Sequence, residues 1–155
     1  MATDSEIYNF ETIIENAVKA ILVAADLTCY ASEDAAVLQR TRPRVEIMFT
    51  PGAASDHLQL VSGEQRHDTF SGSLILSAIT DMADGIVSHM SYRASLRSIG
   101  ARLIYSLDDT ALPYHEVHEI TPGGSSPTIS PADGLWESRQ LYNIKFNIKS
   151  SAWES

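Results

Sequence analysis

The chain has 155 residues, 44% of them hydrophobic and 20% charged. These are the proportions of one folded domain and not of a disordered segment. Its formal net charge of −9 argues against a dedicated nucleic-acid binder, which needs a basic footprint.

Residues 5–25 predict an amphipathic helix. Ile7, Phe10, Ile14, Ala17, Ile21 and Ala25 recur at helical spacing, and Ile13, Val18 and Leu22 widen the stripe. Asp4 or Ser5 is placed to cap its start. The acidic opening, with no basic region before an apolar run, does not read as a secretory signal. Residues 17–25 include Lys19 and are too short to span a bilayer. Cys29 is the one cysteine, so an internal disulfide is excluded and a buried structural thiol is expected. In the weaker pattern of 26–41, Ser32, Glu33 and Asp34 are placed to cap a short helical turn through Leu38.

Pro43 opens a strand in which Val45, Ile47 and Phe49 alternate with Arg44, Glu46 and Met48, and Pro51-Gly52 is expected to close it. Leu58-Gln59-Leu60 before the turn residues Ser62-Gly63 predicts a hairpin arm over about 52–66. A long strand follows from about 66 to 80. Phe70, Gly72, Leu74, Leu76 and Ala78 lie on one face, and Ile75 and Ile79 on the other.

Residues 83–105 predict a second helix with Ile86, Met90, Ala94, Leu96, Ile99 and Leu103 as its apolar stripe and Gly100 as an interior weak point. A strand over 114–120 ends at Pro122-Gly123-Gly124, and the Ser/Pro/Gly-rich stretch within about 121–134 reads as an exposed, flexible loop. Tyr142, Ile144, Phe146 and Ile148 alternate with Asn and Lys, the period of a closing strand with one buried face. The expected fold is α+β: a single mixed or antiparallel sheet of about four main strands, two packed helices and an extended hairpin arm.

Few constellations carry chemistry. His115-Glu116-Val117-His118-Glu119 nearly spells a zinc-protease helix, but the two histidines are three apart, on a strand that sends them to opposite faces. A solvated strand is the better reading. Ser71-Gly72-Ser73 lacks the flanking glycines of a nucleophile elbow. Gly123-Gly124-Ser125-Ser126 has neither the lysine nor the helix of a phosphate cradle. No catalytic residue, metal or cofactor is therefore assigned.

His89, Arg93 and Arg97 are four apart and make a cationic stripe, read either as a solvated face or as a surface that pairs with acids of a neighbouring subunit, such as those of the first helix. Arg40, Arg42 and Arg44 read better as ion-pair partners than as a nucleic-acid patch, since no aromatic residues interleave them. The charge is also uneven. Residues 1–39 hold one Lys against seven acids, for −6, while 40–102 sum to +1 and 103–155 to −4.

Four stretches carry a family resemblance: the N-terminal helix ending near Asp26-Leu27; the opener Arg42-Pro43-Arg44-Val45-Glu46-Ile47; Gly72-Ser73-Leu74-Ile75-Leu76 with the helix bearing His89, Tyr92, Arg93, Leu96 and Arg97; and Leu112-Pro113-Tyr114-His115 with the closing run from Leu141 to Ile148. In layout the chain resembles the tail terminator (tail completion) proteins of long-tailed bacteriophages. The resemblance implies a non-enzymatic virion protein, made in the host cytoplasm and placed at the head-proximal end of the tail. It implies a ring, a hexamer in that family, which caps the tail tube, stops its polymerisation and offers a head-joining surface.

The implied partners are further copies of the chain, the tail tube protein and a head–tail connector protein. Genomic DNA would pass the lumen without specific binding, and no membrane is involved. Candidate interface residues are Arg40, Arg42, Arg44, Leu58, Leu60, Arg66, His89, Arg93 and Arg97. The alternatives are another head–tail connector or tail-tube joining protein, or a small cytosolic anion-binding domain or enzyme using His89, Arg93 and Arg97 in a pocket.

Overall fold

The computed structural model describes residues 2–36, 41–59, 66–102, 106–107, 112–126, 128–130 and 134–153, with the side chains of 35–36, 53–59, 66–68 and 153 outside that description. The helices are α1 (Asp4–Tyr8), α2 (Phe10–Ala24) and α3 (Ile86–Gly100). The strands are β1 (Cys29–Tyr30), β2 (Arg44–Gln59), β3 (Arg66–Asp81), β4 (His115–Ser125) and β5 (Leu135–Ile148). They form one sheet in the order β1-β2-β3-β5-β4, with β1 parallel to β2 and the other pairs antiparallel. The α+β class holds. The fifth strand, β1, is only two residues long, too short to leave a periodic signal.

The N-terminal helix is in two pieces. Thr3, not Asp4 or Ser5, caps α1: its hydroxyl accepts from the Glu6 amide at 3.3 Å while its own amide donates to the Glu6 carboxylate at 2.8 Å. Asn9 leaves helical geometry (φ −80°, ψ 65°), and the chain restarts as α2. The break frees the Ile7 carbonyl, which accepts from His115 Nε2 at 2.7 Å. That bond supplies a partner for one of the orphan carbonyls at a helix end.

The core lies on one face of the sheet. Ile14, Ala17, Val18 and Leu22 of α2 and Leu96 of α3 pack on Val45, Ile47 and Phe49 of β2, on Leu74, Leu76 and Ala78 of β3, and on Tyr142, Ile144 and Phe146 of β5. The period-2 expectations for these strands therefore hold. Phe10 joins the core at its far end, 4.9 Å from Phe70 and 5.0 Å from Phe146 between ring centroids. On the other face of the sheet, Met48 is half exposed, with Ile75 and Leu141 in the same cross-strand row.

Two expected stops are not stops. β2 runs through Pro51-Gly52 to Gln59, and β4 runs through Pro122-Gly123-Gly124 to Ser125. Pro122 lies on the edge strand β4 and Pro51 on the part of β2 that β1 does not cover, each beside a register shift, Pro122/Gly124 and Pro51/Ala54. Edge strands and bulges are where a missing amide hydrogen is tolerated. Gly100 also has a different meaning from the one expected. A Cβ built there would lie 2.8 Å from Tyr142 Cζ, so its small size lets the end of α3 sit against β5.

Glu15 is a buried carboxylate on α2. Its oxygens accept from the Ser32 amide at 2.6 Å, the Ser32 hydroxyl at 3.1 Å and the Phe49 amide at 3.0 Å. β1 pairs with β2 only through Val45 and Glu46. The carboxylate thus supplies the acceptor that a longer β1 would have given Phe49. The same bonds secure the 3-10 turn Ser32–Ala36, which stands where a short helix through Leu38 is expected; Leu38 lies outside the described residues.

Candidate functional site

The arm is a property of register. The last β3 residue joined to β5 is Thr69, opposite Asn147. Beyond it His57↔Asp68, Leu58↔His67 and Gln59↔Arg66 continue as a ribbon of β2 and β3 alone. Leu58 and Arg66 stand on this ribbon by backbone position; Leu60 and Arg40 lie outside the described residues. Arg42 and Arg44 are ion-pair partners, as expected, with Asp81 at 3.2 Å and Glu46 at 3.1 Å. These exposed or half-exposed pairs contribute little stability.

The cationic stripe of α3 divides. His89 is fully buried, with Nδ1 2.8 Å from Thr80 Oγ1 and Nε2 2.8 Å from Ser138 Oγ. A neutral imidazole donates to one hydroxyl and accepts from the other. Arg93 is half-buried and donates to Thr128 Oγ1 at 3.0 Å, and that oxygen lies 3.0 Å from Ser138 Oγ. Arg97 is exposed and borders a separate cleft of about 300 Å³. The three residues thus share no pocket and make no uniform solvated face. Each successive residue at a spacing of four is rotated about 40° around the helix, which carries the row from core to solvent.

The Ser138–His89 contact has the spacing of a nucleophile and its base. However, Ser138 is buried and Nδ1 meets a hydroxyl instead of a carboxylate. Its structural effect is to pin α3 to β3 and β5.

Opposite that pin, α3 is apolar and exposed. Ile86, Val87 and Met90 are 42%, 73% and 49% exposed, so the stripe expected to be buried faces solvent at this end of the helix. The inward face is His89, Tyr92, Leu96, Ile99 and Gly100. Hydropathy does not reveal this, because a histidine and a glycine occupy two of the inward positions. Of the stretch expected as a flexible loop over 121–134, the described residues 121–126 and 128–130 are largely attached to the sheet. After β4, the Ser126 amide donates to the Arg139 carbonyl, and Ile129 exchanges backbone bonds of 2.8 and 2.7 Å with Glu137.

His115 is buried and His118 exposed, the latter at the register shift between Val117 and Glu119 that interrupts the expected alternation. Only His118 fits the solvated reading, since His115 caps α1. Cys29 is buried with its thiol 3.7 Å from the Lys19 carbonyl, and burial pushes that thiol up. Ser71-Gly72-Ser73 lies within β3. Among the described residues no three His, Cys, Asp or Glu side chains converge as a metal site, and no helix is long and apolar enough to cross a membrane.

Two buried histidines give a pH dependence. Burial holds His89 below its ordinary value of 6.5, and Arg93 adds to the effect. Burial also lowers His115, opposed by the Ile7 carbonyl and aided by Lys149. As pH falls through 6.5 the unfolded chain gains protons at both sites before the folded chain does, so stability is complete above that value and is lost on acidification. The urea midpoint is expected to fall between about pH 7.5 and about pH 5.5. It should fall less in His89→Gln and less again with His115→Gln added. A midpoint unchanged or raised by acid would refute this assignment.

No protein-family profile matches the chain, and a search of curated proteins finds no match.

Proposed function

We propose that the chain is a structural assembly subunit: the tail terminator of a long-tailed bacteriophage, which caps the tail tube as a ring and acts through shape and surface complementarity. The observation that carries the assembly part is the two-stranded ribbon of β2 and β3 beyond Thr69. A two-stranded ribbon alone is marginally stable in water. A second chain laid against it would supply the missing third strand or covering surface. The outer edges of β2 and β4 offer further backbone groups to neighbours. The terminator identity rests on the family resemblance in layout, and the net charge of −9 is compatible with a lumen that passes DNA without holding it.

Tails assembled without this protein are expected to be overlong in electron micrographs and to return to one length when it is supplied. A variant with a tight turn replacing residues 54–68 should fold yet fail to restore length. Normal-length tails that do not join heads would reassign the chain to a connector role. Tails unaffected in both respects would refute the reading.

A further inference from the structure

The outer face of α3 is apolar and carries an exposed arginine, Arg97. At about 100° per residue, Ile86, Met90, Ala94 and Arg97 fall within one arc, with Val87 at its border. The helix and its end carry Arg93, Arg97 and Arg102 and no acid from Ile86 to Arg102. Along the helix the arc reaches the cleft of about 300 Å³ that Arg97 shares with Ser125, Gln140 and Tyr142. Inside the subunit, α3 packs on β3, β5 and the 3-10 turn Met82–Asp84, which uses the opposite face.

The complementary surface lies on the same chain. Of the seven acids in residues 1–39, Glu15 is consumed by Ser32 and Phe49 and Asp34 by Lys19 at 2.8 Å. Glu6 holds the Thr3 amide at 2.8 Å. Of the remaining four, Asp4 and Glu11 are exposed and stand four residues before and three after Tyr8, which is 43% exposed. Asp4 and Tyr8, four apart on α1, share a side of that helix, and the exposed carboxylates of Asp4 and Glu11 are opposite in sign to Arg97.

We infer that the outer face of α3, from Ile86 to the Arg97 cleft, docks the start of the α1–α2 segment of a second copy of the chain, where Asp4, Tyr8 and Glu11 are exposed. The inference rests on the assembly reading and names one contact within it. The two patches differ, so the contact is head-to-tail. Such contacts propagate and close into a ring when the rotation per subunit allows.

The test is the sedimentation of the whole chain across a concentration series, with the helical circular dichroism and melting midpoint of each variant measured alongside. Val87→Asp places a carboxylate in the first turn of α3, where the helix favours it, and Arg97→Glu is exposed; both variants should fold. Each is expected to weaken self-association about tenfold to a hundredfold, as like charges do across an interface. Asp4→Lys with Glu11→Lys should weaken it similarly, and combining these with Arg97→Glu should restore it, because the charges are then exchanged.

Wild-type association in Val87→Asp and Arg97→Glu would overturn the contact, as would a charge-exchanged chain that regains nothing. A wild-type chain that stays monomeric at every concentration would also overturn it, while leaving the terminator reading to its tail-length test. Tails that ignore the protein would overturn that reading and leave the contact standing.

Discussion

Replacing Glu15 with alanine is expected to destabilise the chain by about 3–5 kcal/mol. The carboxylate receives the amides of Ser32 and Phe49 and the Ser32 hydroxyl, at 2.6, 3.0 and 3.1 Å. Alanine leaves two backbone donors without a partner, each at about 1–3 kcal/mol, and opens a small cavity in the core. Native domains hold only about 5–15 kcal/mol in total, so the loss is a large share, and the melting midpoint should fall by roughly 10 °C.

Amide exchange locates the effect. Ser32 and Phe49 should lose protection more than amides near β5. Glu15→Gln keeps an acceptor and should lose less. An alanine variant with a melting curve like the parent's would show that β2 finds another acceptor at its edge.

Gly72→Ala is expected to destabilise by about 2–3 kcal/mol, the upper part of the range of about 1–3 kcal/mol for overpacking in a filled core. The phenyl ring of Phe49 lies over Gly72. A Cβ there would stand 2.7 Å from Phe49 Cε2 and 2.8 Å from the Thr50 carbonyl oxygen. Both are closer than atoms pack, and the second belongs to the backbone. Phe49 is buried, so its ring has nowhere to swing. The test is a double-mutant cycle: Gly72→Ala should cost less in a Phe49→Leu background, where the ring is gone. Equal costs in both backgrounds would place the strain at Thr50 alone.

These two positions illustrate what could be read from the chain and what could not. Gly72 is visible in the pattern as a member of the buried face of β3, but the ring that fills its missing side chain belongs to a strand on the far side of the arm. Glu15 is not visible at all. On an amphipathic helix it reads as one more charged residue, because its partners are 17 and 34 positions away.

The interface candidates divide for the same reason. Arg44 was legible as an ion-pair partner because Glu46 stands two residues along its own strand, whereas the partner of Arg42, Asp81 at the end of β3, was not. His89 was not legible. Its ring joins Thr80, 9 positions away, to Ser138, 49 positions away, and this turns the polar side of α3 inward.

The amino-acid sequence by itself determined the three core strands β2, β3 and β5 and their buried faces. A period of two is a local property, and Val45, Ile47, Phe49, Leu74, Leu76, Tyr142, Ile144 and Phe146 carry it without reference to anything distant. It also determined the class of fold and the existence of the arm. Only the tertiary structure decided where β2 and β4 end, where the first helix breaks and which face of α3 meets the sheet. Prolines are tolerated where no further strand pairs, Pro122 on the edge strand β4 and Pro51 on the part of β2 that β1 does not reach, and both facts are set by pairing order. The break at Asn9 accompanies the Ile7 carbonyl's bond to His115. The rotation of α3 follows hydrogen bonds to buried hydroxyls, which hydropathy does not register, and it leaves Ile86, Val87 and Met90 facing solvent.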